Sequence, residues 1–223
     1  MAKRQRYQKQ ENGINLRSFH PKNADQDFYL KMLREETITF CTGPAGTGKT
    51  FITVYAALEA LFTHQVSKII LTRPIVATED IGYLPGDMHE KIHPYIMPLF
   101  DAVEMHVGPT KAKDLYAYGA IEVIPLAYMR GRSLPHAFLI LDEAQNTTRE
   151  QMKMFLTRMG EGSRVAVNGD SSQSDLPKGS DNGLCWAVDR LRGAESGISI
   201  NNFTSRNIVR HPLIEKIIGL LGD

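Results

Sequence analysis

Only two cysteines and one tryptophan occur in the 223 residues, and 26 basic against 25 acidic side chains leave a formal charge of +1. Each scarcity excludes something. Cys41 and Cys185 stand far apart in apolar surroundings, which argues against a disulfide framework or a zinc site and for a reducing cytoplasm. A near-neutral chain has no global field to draw in a polyanion, so a nucleic-acid site would have to be a local patch. No apolar run reaches membrane-spanning length. The basic start, with Lys3, Arg4, Arg6 and Lys9, lacks the apolar segment of a secretory signal. Residues 1–20 read as a polar lead-in, either a flexible solubilising tail or a nucleic-acid contact. Residues 21–223 suffice for one α/β domain and are short for two.

What is present starts with Gly43-Pro44-Ala45-Gly46-Thr47-Gly48-Lys49-Thr50. It fits G-x-x-x-x-G-K-[ST], the Walker A phosphate-binding loop. Glycines let backbone N–H groups turn inward around a β-phosphate where side chains would block the approach. Lys49 offers a point charge to the β- and γ-phosphates, and the Thr50 hydroxyl is a ligand for Mg²⁺. The context agrees: Thr37–Thr42 reads as a buried strand and Phe51–Leu58 as an apolar helix, whose positive end adds to anion binding.

Before this loop, an amphipathic helix is expected from Asp27 to Glu36, offering Phe28, Leu30, Met32 and Leu33 to the core. Gln26, just ahead of it, is either an exposed polar residue or an amide matched to the edge of adenine. After the loop, Ser67–Thr72 is a second strand ending in Arg73-Pro74. Ligands of open parallel sheets sit beyond the carboxyl ends of the strands. Arg73 is therefore a candidate contact for phosphate or a nucleic-acid backbone; the alternative is pairing with Glu79 or Asp80. Residues 75–89 read as a loop, and helices are expected near Met88–Val107, kinked or split by Pro94 and Pro98, and near Lys111–Tyr118. Ile121–Ile124 is a third strand. The segment Pro125–Arg132 then combines Tyr128 with Arg130 and Arg132, suited to stacking plus phosphate contact, or to structural salt bridges.

Ala137–Leu141 is apolar throughout and ends in Asp142-Glu143, a Walker B pattern. Asp142 would hold Mg²⁺ opposite Thr50, and Glu143 would polarise the water attacking a γ-phosphate. Thr148 and Gln151 form a capping box for a helix over Arg149–Met159. Ser163–Asn168 is a further strand followed by Gly169-Asp170-Ser171-Ser172-Gln173. Here Gln173 is a candidate γ-phosphate sensor and Asp170 the residue that fixes the loop. A helix near Gly183–Leu191 carries Trp186, assigned to the core. Ile198–Phe203 is the last strand, and Ile208–Leu213 is expected to open a C-terminal helix. In it Arg210, just ahead of His211-Pro212, is the candidate transition-state arginine.

These stretches together resemble the PhoH-like ATPases: GPAGTGKT (Gly43–Thr50), LTRP (Leu71–Pro74), LPGD (Leu84–Asp87), PLAYMRGR (Pro125–Arg132), ILDEAQNTTREQMKMFLTRMG (Ile140–Gly160), NGDSSQSDLP (Asn168–Pro177) and VRHPL (Val209–Leu213). The resemblance implies a three-layer α/β/α P-loop NTPase with a RecA-like core and a central parallel sheet. It further implies ATP and Mg²⁺ as ligands, and a kinship with superfamily-one helicases that makes members RNA-helicase candidates. Asn168 departs from the threonine common there. Larger relatives carry an RNA-cleaving or RNA-binding extension that this sequence does not match, so it reads as a short form like phage-encoded members, located in the cytoplasm.

Helicase-like motors close their ATP site between two lobes. One lobe per chain implies a homo-oligomer, a hexameric ring, with the finger arginine supplied by Arg210, Arg130, Arg132 or Arg206. RNA or single-stranded DNA is the expected partner. The alternative is an ATP-dependent switch acting on a protein. A nucleotide kinase is disfavoured, because Asp142, Glu143 and Gln173 form a water-activating set.

Overall fold

The inner strands of the central sheet are short, largely apolar runs that alternate their side chains between two buried faces. The computed structural model describes residues 16–75, 88–177, 181–194, 196–209 and 213; side chains of 88–95 lie outside that description. Six strands run parallel: β1 (Ile38–Thr42), β2 (Lys68–Thr72), β3 (Ile121–Val123), β4 (Ala137–Leu141), β5 (Arg164–Gly169) and β6 (Ile198–Asn202), in the order β3-β2-β4-β5-β1-β6. All strand pairings being parallel, helices must cover both faces. On one face Cys41, Ile69, Leu71, Phe138, Ile140 and Ala166 meet helices α1 (Ala24–Glu35), α2 (Lys49–Phe62), α3 (Met88–Val107) and α4 (Pro109–Ala117). On the other, Phe40, Ile70, Leu139, Leu141, Val165 and Val167 meet α5 (Arg149–Leu156) and α6 (Gly183–Leu191). This is the expected three-layer α/β/α P-loop NTPase fold.

The strand order places the site. β5 lies between β1 and β4, so the loops after β1, β5 and β4 open side by side at one edge of the sheet. Backbone bonds tie these strand ends together: Gly43 N–H donates to Gly169 O (3.2 Å), and Asp142 N–H to Thr72 O at the end of β2 (3.0 Å).

Three local expectations are corrected. Helix α1 begins at Ala24, capped by the Asn23 side chain on Gln26 N–H, so Gln26 belongs to its first turn. Its buried face is Tyr29, Leu30 and Leu33, whereas Phe28 is 53% exposed. Tyr29 shares the buried face with Gln26, Leu30 and Leu33, and its hydroxyl finds polar partners there. Helix α3 runs without a break through Pro94 and Pro98. Burial of Leu99, Ala102 and Val103 outweighs the hydrogen bonds that two prolines remove. Trp186 packs half-buried against the core as expected, its ring under the Arg190 guanidinium at 5.7 Å. Ile208 and Val209 are not helical, and the rest of the expected C-terminal helix, apart from Leu213, lies outside the described residues, as do Glu79 and Asp80. The capping box of Thr148 and Gln151 is present as read.

Candidate nucleotide site

The loop between β1 and α2 depends on glycine at two points. Gly43 has φ +136°, and a Cβ there would collide with the backbone carbonyl of Phe203. Gly48 takes φ +88° as the N-cap of α2, facing the Gln26 amide. A side chain at either position would be strained or excluded. The loop then closes on itself: the buried Thr47 donates to Pro44 O (3.0 Å), and Lys49 Nζ donates to Gly43 O (2.6 Å) and Pro44 O (2.9 Å). The Lys49 ammonium is thus held at the mouth of the loop by carbonyls that a phosphate would replace.

Across the loop, Thr50 Oγ1 donates to Asp142 Oδ1 at 2.8 Å. Asp142 is buried, and burial first, then the neighbouring Glu143, pushes its carboxyl up to about 6, against the pull of Thr50, Arg73 and Lys49. A hydroxyl and a carboxylate side by side are hard oxygen donors, and a buried carboxylate raised in this way is one that a cation would stabilise. The pair fits Mg²⁺ with its remaining positions left to water and phosphate. Among the described residues no group of three or more His, Cys, Asp or Glu side chains forms a metal cage.

Glu143 has φ +51° and ψ +40°, a left-handed backbone that costs a non-glycine residue roughly 1–2 kcal/mol. That turn carries its side chain to Arg73, whose Nη2 lies 3.0 Å from Oε1, and to Gln145, whose Nε2 donates to Oε2 at 2.5 Å. Sequence reasoning passed over Gln145. Its other end, Oε1, accepts from Asp170 N–H (3.0 Å), so one buried amide joins the loops after β4 and β5. The only signal for it was an amide two residues past the paired acids.

Asp170 holds its loop as expected: Oδ1 accepts from Ser172 N–H (3.0 Å) and Ser172 Oγ (2.6 Å). Its Oδ2 is buried without a partner among the described residues. Lys49, Thr50, Asp142, Glu143, Asp170 and the exposed Gln173 converge, with Ala45, Gly46, Gly48, Phe51 and Gly169, around a cavity of about 290 Å³. Pro44 and Gly43 shape the loop behind it.

A second crevice, about 430 Å³, continues past Gly46, Gly48 and Phe51 to Phe19, His20, Lys22, Ile52, Met105 and Val209. Gln26 lines it but is buried, not exposed, and its amide is engaged with backbone: Nε2 donates to Thr47 O (2.9 Å) and Oε1 accepts from Lys22 N–H (2.9 Å). Phe19 packs edge-on against Phe51 (5.5 Å between ring centres), and Val209 N–H donates to Gly46 O (2.9 Å). Arg73 thus joins the cluster, while Arg132 does not: its Nη2 pairs with Glu122 (2.8 Å), which also holds Lys68. Two opposite charges on one carboxylate are the salt-bridge alternative read from the sequence. Arg130 and Arg206 are exposed, and Arg210 lies outside the described residues.

The profile of the PhoH-like proteins matches residues 18–221. The chain belongs to the PhoH-like family. It is 49% identical to a PhoH-like protein of Bacillus subtilis over 203 residues, covering 91% of this chain and 63% of the relative. A PhoH-like protein of Mycobacterium tuberculosis H37Rv is 51% identical over 203 residues (91% and 57%), and Escherichia coli K12 PhoH is 44% identical over 200 residues (88% and 56%). This PhoH-like chain therefore spans about three-fifths of the curated relatives it matches. Among solved structures, the large terminase of a thermophilic bacteriophage superposes with TM-score 0.58 at 12% identity, covering 92% of this chain and 51% of the terminase. A form of that terminase in complex with ADP gives 0.54, covering 90% of this chain and 50% of the terminase. At such identity the likeness is one of fold. No helix among the described residues is long and apolar enough to cross a membrane.

Proposed function

We propose that this PhoH-like chain binds ATP with Mg²⁺ and hydrolyses it under the control of a single-stranded nucleic acid, RNA above all, working in the cytoplasm as a ring of identical copies. The observation that carries the reading is the convergence of Lys49, Thr50, Asp142, Glu143 and Gln173 on one cavity. The loop amides and Lys49 would hold the β- and γ-phosphates. Thr50 and Asp142 would hold Mg²⁺, which offsets phosphate charge when bound. Glu143 would accept the proton of the attacking water as the bond from the γ-phosphorus to the bridging oxygen breaks and ADP leaves. Gln173, on a loop anchored by Asp170, would meet the γ-phosphate. The apolar crevice continuous with this cavity suits the base, with Gln26 bracing the loop from beneath.

Gln173 is exposed at the cavity, and a second copy could complete the site there with an arginine. Arg206 and Arg130, being exposed, and Arg210 are the candidates; such a finger contributes on the order of 10³–10⁵ in rate. Hydrolysis measured against RNA and DNA strands, with mass determined in parallel, tests the reading. Lys49→Ala should lose nucleotide, whereas Glu143→Gln should keep affinity and stop turnover. A fully active monomer would refute the ring. Hydrolysis indifferent to every strand at low salt would leave a switch acting on a protein partner.

A further inference from the structure

We propose that Arg73 restrains Glu143 until a nucleic-acid phosphate takes its guanidinium, so that strand binding at the carboxyl end of β2 sets the rate of hydrolysis. The proposal rests on the hydrolase reading above and names the regulation of that site.

β2 and β4 are neighbours, with Thr72 opposite Leu141, so the residues that follow them emerge together. Both carboxylate oxygens of Glu143 are then engaged, Oε1 by Arg73 and Oε2 by Gln145. A base for the attacking water needs an oxygen free to turn toward it. The two donors differ in how they can yield. Gln145 is neutral, buried and fastened at its far end to Asp170 N–H. Arg73 is charged, and its side chain keeps 22% of its surface exposed, against 37% for Glu143. A part-exposed ion pair is weak, and a phosphodiester that accepts two parallel hydrogen bonds competes well for the same guanidinium.

The neighbouring surface supplies the strand. Leu126 N–H donates to Arg73 O, which lays the segment 125–132 against Arg73. That segment presents Tyr128, 57% exposed, beside the exposed Arg130. An open ring next to a cation is suited to an unpaired base and its phosphate, which favours single over double strands.

ATP turnover of the full chain with and without a uridine homopolymer tests the restraint. In Arg73→Ala the rate without polymer should rise roughly two- to five-fold, the range a part-exposed pair can hold back. Its KM for ATP should stay unchanged, and stimulation by the polymer should largely vanish. Arg73→Lys, a milder change should the alanine variant fold poorly, should keep the low basal rate and respond less to polymer, since an ammonium cannot make the paired contact. Tyr128→Ala should raise the polymer concentration needed for half-maximal stimulation. A basal rate in Arg73→Ala that falls or stays level overturns the restraint. A wild-type rate indifferent to polymer overturns the nucleic-acid reading instead.

Discussion

The side-chain amide of Gln145 ties the carboxylate of Glu143 to the backbone of Asp170, through bonds of 2.5 and 3.0 Å. The acid that would activate water and the loop that carries Gln173 are therefore one mechanical unit. A shift of the loop after β5 is passed to Glu143 without moving the strands.

Replacing that amide separates the two. Gln145→Ala leaves a buried N–H on Asp170 unpaired, a cost of about 1–3 kcal/mol. Its kcat should fall by at least about tenfold while KM for ATP changes little, because phosphate-loop contacts are untouched. Steady-state kinetics beside a thermal melt separate the kinetic effect from the loss of stability. A kcat near wild type would mean that Glu143 is oriented by other groups.

Phe19 forms an aromatic wall of the crevice proposed for the base. Phe19→Ala should raise KM for ATP by roughly tenfold, within the range of about 1–3 kcal/mol for a stacked base, with kcat preserved. Binding of inorganic tripolyphosphate, which has no base, should be unchanged. If tripolyphosphate weakens equally, Phe19 serves the loop rather than the base.

His106 is buried with its Nε2 on Phe51 O (2.9 Å) and its ring 4.0 Å from that of Phe51. Burial first, with Arg17 nearby, holds its pKa below the ordinary imidazole value despite the bond to Phe51. The unfolded chain then takes up a proton at higher pH than the folded one. Stability should be level above the unfolded value, about 6.5, and fall as pH drops through the folded value. Denaturant unfolding between pH 7.5 and about 5 should show a shallower fall in His106→Gln, which can still donate to Phe51 O. An equal slope in both proteins would rule His106 out as the titrating group.

The fully buried Tyr29 hydroxyl donates to Asn168 Oδ1 (2.6 Å) and lies 2.7 Å from Thr53 Oγ1. Tyr29→Phe should cost about 1–3 kcal/mol by leaving buried polar atoms short of a partner, read as a Tm lowered by several degrees. Asn168→Thr should lose part of the same network. An unchanged Tm in Tyr29→Phe would show that the hydroxyl bonds contribute nothing net.

The strands were legible because a parallel sheet covered on both faces needs unbroken apolar runs, and Ala137–Leu141 and Lys68–Thr72 are such runs. The phosphate loop and the acids after β4 were legible because their chemistry restricts residue type. What escaped depends on direction rather than type. Tyr29 and Phe28 are equally apolar in pattern, and tertiary partners (Thr53, Asn168 and Phe203 for Tyr29) decide which faces in. Arg73 read as an outward contact because its partner, 70 positions later, is adjacent only through the sheet order. Gln145 resembles any polar residue after a strand until burial gives each end of its amide one partner. Gln26, read as either exposed or matched to adenine, is buried with its amide on backbone partners for the same reason.

The strand that feeds the phosphate loop is made early and paired late. β1 ends at Thr42, yet both its neighbours, β5 and β6, begin only at Arg164 and Ile198. During synthesis its edges wait while more than a hundred residues are added, roughly 6–25 s at about 5–20 residues per second. Through that interval the apolar run Ile38–Thr42 has no native edge partner, and the loop after it has no neighbour at Gly169 or Phe203. ATP can therefore do little to guide the nascent chain. Any aid to folding from the nucleotide must arrive after the ribosome has finished the sheet.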